Sequence, residues 1–177
     1  MNKKTIYLLI GQKGSGKSFI GELMDRKFGI KFIRVENWVK EIKKGREIDN
    51  PSYLNDAFFV IENGIRDALK LNDKIVFEST GLTNSFDQML INLRKDFSVF
   101  TIQIEADRDT CLTRVKSRDQ SIHINVSDEQ IKNINEQVQL KKIETDYFID
   151  NEKKSEGELK QEIVKIIHDI EKQSRNR

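Results

Sequence analysis

Gly11-Gln12-Lys13-Gly14-Ser15-Gly16-Lys17-Ser18 is the stretch that decides how this 177-residue chain is read. It fits the pattern G-x-x-x-x-G-K-[ST], a loop whose backbone N–H groups turn inward on a phosphate chain. Glycines at 11, 14 and 16 permit the dihedral angles and the close approach that such a cradle requires. Gly14, Gly16 and Lys17 have no packing use where a helix starts, which argues against a purely structural turn. Lys17 is expected to reach the β- and γ-phosphates and Ser18 to ligate magnesium, with Ser15 and Phe19 completing the nucleotide contacts. The start of the following helix adds the favourable end of its dipole. The expectation is a site for ATP or GTP with Mg²⁺.

That pattern has meaning only between a strand and a helix, and both flanks comply. Ile6-Tyr7-Leu8-Leu9-Ile10 is a continuous apolar run bounded by glycine, as expected of a strand buried on both faces of a parallel sheet. Residues 18–28 read as a helix with Phe19, Ile20, Leu23 and Met24 on its apolar side and Gly29 as its stop. Residues 31–35 are a second strand candidate. Leu54, Ala57, Phe58, Ile61, Ile65, Ala68 and Leu69 recur at helical spacing over residues 51–71, with Pro51 at a tolerated first-turn position.

Residues 74–78 and 98–104 read as strands, separated by a helix marked by Phe86, Met89, Leu90 and Leu93. Helices are predicted over 107–118 and 127–143, the latter opened by a Ser127/Gln130 capping box. Residues 147–149 form a last strand, and Leu159, Ile163, Ile166, Ile167 and Ile170 mark the stripe of a closing helix. Strands alternating with helices predict βαβ units: one α/β domain over 1–177, a three-layer αβα sandwich with a parallel sheet. Ligands in such sheets sit at the carboxyl ends of the strands. That gathers the residues after Ile10, Val35, Phe77, Ile104 and Ile149 around one site.

Lysine and arginine number 31 against 29 aspartate and glutamate, a net charge of +2 that makes no whole-molecule case for a nucleic-acid or membrane partner. One cysteine, Cys111, allows no internal disulfide and suits a reducing cytoplasm. The six residues between Lys4 and the first glycine are too short for a signal or membrane-spanning segment. A soluble cytoplasmic protein is expected.

The layout resembles the adenylate kinase-like group of P-loop kinases, which includes nucleoside monophosphate kinases, shikimate kinase, gluconate kinase and dephospho-CoA kinase. Four features spread over nearly the whole chain carry the resemblance. They are the loop from Gly11; Val76-Phe77-Glu78-Ser79-Thr80-Gly81; Arg114-Val115-Lys116-Ser117-Arg118; and Tyr147-Phe148-Ile149-Asp150-Asn151. The resemblance implies a P-loop NTPase fold with a five-stranded sheet in the order 2-3-1-4-5 and a short lid over about 114–126. Glu78 takes a Walker B-type place, where it either holds the metal through water, orients a water or polarises the acceptor. Arg114 and Arg118, on one helix face, are implied to close over the γ-phosphate. Asn151 borders the nucleotide base, and ATP is favoured over GTP.

The acceptor side is implied to lie over the helices of residues 37–71, with Glu36 accepting a proton or holding the acceptor. Shikimate kinase-like sequences have Asp-x-Asp there; here the stretch is Arg34-Val35-Glu36. Arg34, Arg46 and Arg66 are candidates for gripping an acidic acceptor, while Trp38 either lines the pocket or belongs to the core. No arginine occurs between Arg118 and Arg175, so Lys132, Lys141 or Lys142 would have to help in the lid. His123 reads as a loop residue, since two histidines and one cysteine do not make a zinc lid. The implied activity is a kinase for a small-molecule acceptor, acting as monomer or homodimer. A nucleic-acid end or other macromolecule as acceptor, and an ATP-binding regulatory module, stay open.

Overall fold

The computed structural model describes residues 3–117 and 126–175. Five strands make one parallel sheet. β1 (Thr5–Ile10) is at the centre, with β3 (Lys74–Ser79) and β4 (Ser98–Glu105) on either side. β2 (Lys31–Phe32) pairs with β3 and β5 (Tyr147–Asp150) with β4, giving the order β2-β3-β1-β4-β5. The expected three-layer sandwich and strand order are both present.

All six residues of β1 are buried because helices cover both faces. Tyr7 and Leu9 point into one core, with α1 (Lys17–Phe28) and α7 (Glu156–Arg175) supplying Ile20, Leu23, Met24, Leu159, Ile163 and Ile170. Ile6, Leu8 and Ile10 point into the other, filled by α3 (Pro51–Leu71) and α4 (Asn84–Asp96). On α3 the buried residues Tyr53, Ala57, Ile61, Ile65 and Leu69 repeat every fourth position, so one stripe meets the sheet. Each large side chain so buried contributes roughly 1.5–3 kcal/mol. Asn50 caps this helix by accepting from Tyr53 N–H at 3.0 Å, and Pro51 takes its first turn.

Beyond the sheet, α2 (Val35–Lys43) packs on α3. Trp38 is half-buried, and its ring lies where a Cβ on Gly64 of α3 would stand. A glycine inside a helix costs about 1 kcal/mol in propensity, and here it admits the indole. Trp38 therefore joins the core as well as lining a surface cavity. α5 (Arg108–Ser117) and α6 (Asp128–Lys141) pack against each other beside the loop after β1, and the Ser127/Gln130 capping box is formed. Among the described residues no helix is long and apolar enough to cross a membrane.

The largest departure is β2, expected over 31–35 but ending at Phe32. It is an edge strand, and Ile33 makes the last ladder bond, its N–H donating to Val76 at 2.8 Å. Val35 N–H then donates to Ile33 C=O at 3.1 Å across Arg34, whose φ of −82° and ψ of 81° make a tight inverse turn. Val35 and Glu36 accordingly open α2 instead of continuing the strand.

Candidate active site

The loop from Gly11 to Ser18 leaves the carboxyl end of β1 and wraps the start of α1. Lys17 is buried, and its ammonium donates to Gly11 C=O at 2.9 Å and Gln12 C=O at 2.7 Å, folding back over the loop. Gly14 has φ 89° and Gly16 has φ 97°, backbone that L side chains rarely adopt. The glycines also have a packing use that the sequence reading denied them. A Cβ on Gly14 would strike the backbone of Cys111 in α5, and one on Gly16 would strike the Asn151 amide.

β1 and β3 run in register with Leu9 opposite Glu78, so β3 ends beside the root of the loop. This brings Ser18 Oγ to donate to Glu78 Oε1 at 2.5 Å. A hydroxyl and a carboxylate so close offer two hard oxygens, which suits Mg²⁺, an ion that takes few protein ligands and relies on waters and phosphates for the rest. Consistently, among the described residues no cluster of three or more His, Cys, Asp or Glu forms a metal cage. The buried Ser15 hydroxyl finds no partner among the described residues.

Arg114 reaches from α5, its Nη2 donating to Asn151 C=O at 2.9 Å and Glu152 C=O at 3.3 Å, while buried Nη1, beside Gly16, has no partner among the described residues. Asn151 is itself buried and donates from Nδ2 to Ser15 C=O at 2.8 Å. It therefore holds the loop. A cleft of about 360 Å³ joins Lys17, Ser18, exposed Phe19 and Arg114 to Glu78, Ser79, Thr80, Arg34 and Glu36. A larger hollow of about 650 Å³ beside edge strand β2 shares Arg34 and Asn37 but none of the loop.

Arg34 lines that cleft while paired with Glu22 and stacked on Phe32. Arg46 and Arg66 do not line it. Arg46 binds Asp56 at 2.7 Å over the Tyr53 ring, and Arg66 binds Asp96 at 2.7 Å over Phe97. Both brace α3, one against the α2 end and one against α4. Lys141 is no lid cation either: it donates to Gly81 C=O at 2.7 Å and pairs with Asp87 at 2.9 Å. Arg118 and His123 lie outside the described residues.

Two contributors went unread in the sequence. Gln12 and Asn135 are buried polar residues, and Asn135 bonds to Lys13 at both its backbone N–H and C=O. The signal was a polar residue on a buried stripe, Ile131-Asn135-Val138.

Cys111 sits under Gly14, and burial pushes its thiol up to about 11 despite nearby Lys17 and Arg114, which pull it down. A neutral buried thiol is no nucleophile. Native protein at neutral pH should react with a thiol-specific disulfide reagent at least tenfold more slowly than urea-unfolded protein; equal rates would contradict the burial.

The family model of the AAA domain, AAA_33, matches residues 6–140, which takes in the loop, Glu78 and Arg114. The chain belongs to that AAA domain family. Adenylate kinase 2 of Plasmodium falciparum (isolate 3D7) is 28% identical to this AAA domain over 136 residues, 64% of this chain and 49% of that protein. The chain thus spans about half the length of that relative. Among solved structures, shikimate kinase from Aquifex aeolicus vf5 superposes with a TM-score of 0.62 at 22% identity, covering 93% of this chain and 96% of that one. A gluconokinase from Sinorhizobium meliloti 1021 gives 0.65 at 15% identity, covering 98% and 99%. At these identities the likeness shows the fold.

Proposed function

We propose that this chain is an ATP- and Mg²⁺-dependent phosphotransferase that acts on a small-molecule acceptor bearing a hydroxyl. The observation that carries the reading is the Ser18–Glu78 bond of 2.5 Å, made in a cleft that Lys17 and Glu36 also line. Donor and acceptor ends then meet in one space, as an in-line transfer requires.

In this reading the loop's inward N–H groups and Lys17 bind the phosphates, and Ser18 and Glu78 hold the metal. Magnesium, when bound, neutralises charge on the phosphate oxygens. Phe19 adds a nucleotide contact, and Asn151 borders the base. Arg114 faces the equatorial oxygens as charge spreads over them. The acceptor oxygen bonds to the γ-phosphorus while the β–γ bridging bond breaks and ADP leaves. Glu36, on the acceptor side, positions the hydroxyl and takes its proton. Glu78, held by Ser18, is better placed for the metal.

The test is Mg-ATP-dependent ADP release across a panel of nucleoside monophosphates, shikimate, gluconate, dephospho-CoA and related polyols, with GTP as the competing donor. An acceptor-dependent signal would name the acceptor class. Silence with ATP binding intact would point instead to a macromolecular acceptor or a regulatory module. Glu78→Gln keeps a hydrogen-bond acceptor for Ser18 but removes the charge, so kcat should fall about a hundredfold, as for loss of one charge-stabilising group. Unchanged kcat with unchanged Mg²⁺ dependence would take Glu78 out of the metal site.

A further inference from the structure

We propose that Asn135 is a positioning residue for the phosphate loop, fixing the loop's shape from α6 without touching the nucleotide. The proposal rests on the nucleotide-binding reading above. Asn135 Oδ1 accepts from Lys13 N–H at 2.8 Å, and its Nδ2 donates to Lys13 C=O at 3.0 Å. Gln12 Nε2 adds a third tie by donating to the Asn135 carbonyl at 3.5 Å.

The cost of this arrangement shows that it is specific. Asn135 is 2% exposed, on a stripe where Ile131 and Val138 supply apolar packing. A buried amide is unfavourable unless its donor and acceptor are both used. Here both are used on the two peptide groups that flank a single residue, which fixes the orientation of each.

The loop passes from Lys13 straight into Gly14, whose φ of 89° is backbone that L side chains rarely adopt, and Ser15 N–H donates back to Gln12 C=O at 3.2 Å. On the far side of Gly14 a second buried asparagine, Asn151, donates to Ser15 C=O at 2.8 Å. The turn is therefore gripped on both sides, with Gly14 against Cys111 between the grips. A cradle held in its binding shape loses less freedom when a polyphosphate arrives. Asn135 thus acts on affinity for the β-phosphate through Lys13.

Titration calorimetry with ATP, ADP and AMP reads this directly and needs no acceptor. Asn135→Ala leaves two loop peptide groups without their partner, and ATP and ADP should each bind about tenfold more weakly, with AMP changed less. Ile131→Ala, which removes buried volume from the same helix but leaves Asn135 in place, should leave the ATP-to-AMP selectivity intact.

Asn135→Asp supplies a readout that a merely structural role would not move. A protonated carboxylic acid has one acceptor oxygen and one O–H donor, and so reproduces both amide bonds; the carboxylate only accepts and would face Lys13 C=O. Burial and that carbonyl raise the introduced group's pKa. Relative to wild type, nucleotide affinity should therefore be recovered as pH falls through the raised pKa and lost as pH rises through it.

Should the alanine variant fail to fold, the aspartate variant at low pH carries the test alone. Variants that bind ATP and ADP within twofold of wild type, or an aspartate variant that tracks wild type at every pH, would overturn the proposal and leave the kinase reading standing. Wild-type protein that binds no nucleotide would remove that reading, and this proposal with it.

Discussion

Lys17→Ala is expected to abolish the proposed phosphoryl transfer, with kcat down by about a thousandfold or more and ATP binding weakened at least tenfold. The expectation follows from where the ammonium lies: it is buried and donates to the Gly11 and Gln12 carbonyls. In the proposed reading it is also the loop's cation for the phosphates, in a cleft that Glu78 and Glu36 line as well. Losing the two carbonyl bonds costs only about 1 kcal/mol of stability each, so the variant should stay folded. Calorimetry with ATP and AMP, beside single-turnover kinetics, separates the effects. Full activity in the variant would remove the loop from the mechanism.

Gly14→Ala is the variant expected to harm the protein itself. Its Cβ would meet Cys111 O, with the Cys111 carbonyl carbon at 2.8 Å and Cα at 2.9 Å, and all three are backbone of α5. No rotamer change relieves a clash with a helix backbone. The φ of 89° adds a strain of about 1–3 kcal/mol. Together they should cost about 3 kcal/mol or more in urea unfolding, or drive the loop out of shape with loss of ATP binding. Gly29→Ala separates the contributions, since Gly29 has φ 65° and nothing within 4 Å of its missing Cβ. Equal costs at the two sites would mean that α5 yields and that the contact is unimportant.

The parts of the fold that were legible in advance are those in which one local pattern serves one purpose. β1 reads as central because burial on both faces demands an unbroken apolar run, and α3 because a single stripe repeats along it. The capping box before α6 is a contact between neighbours in sequence, so spacing alone exposes it. β2 was overextended because an edge strand has one partner, and nothing in Ile33-Arg34-Val35 marks where that partner stops pairing.

The site divides along the same line. Lys17, Ser18 and Glu78 are brought together by the register of two adjacent strands, an adjacency that the strand order implied by the family resemblance already contains. Arg46 and Arg66 were misassigned because nearness along the chain does not say which side of α3 a guanidinium takes, and local carboxylates claim both. The partnership of Asn135 with Lys13 spans more than a hundred positions, and only the folded chain reveals that its polar group has a loop to hold.

The seating of Trp38 has a spectroscopic consequence. It is the chain's single tryptophan, so selectively excited indole fluorescence comes from one place: the ring wedged on Gly64 between α2 and α3, beside the Arg34 and Asn37 that also border the cleft. The phosphate loop contributes no emission of its own. In the proposed reading an acceptor entering near Glu36 could thus be titrated without a label, and any change of signal on adding nucleotide alone would measure how far occupancy of the loop is felt across the cleft.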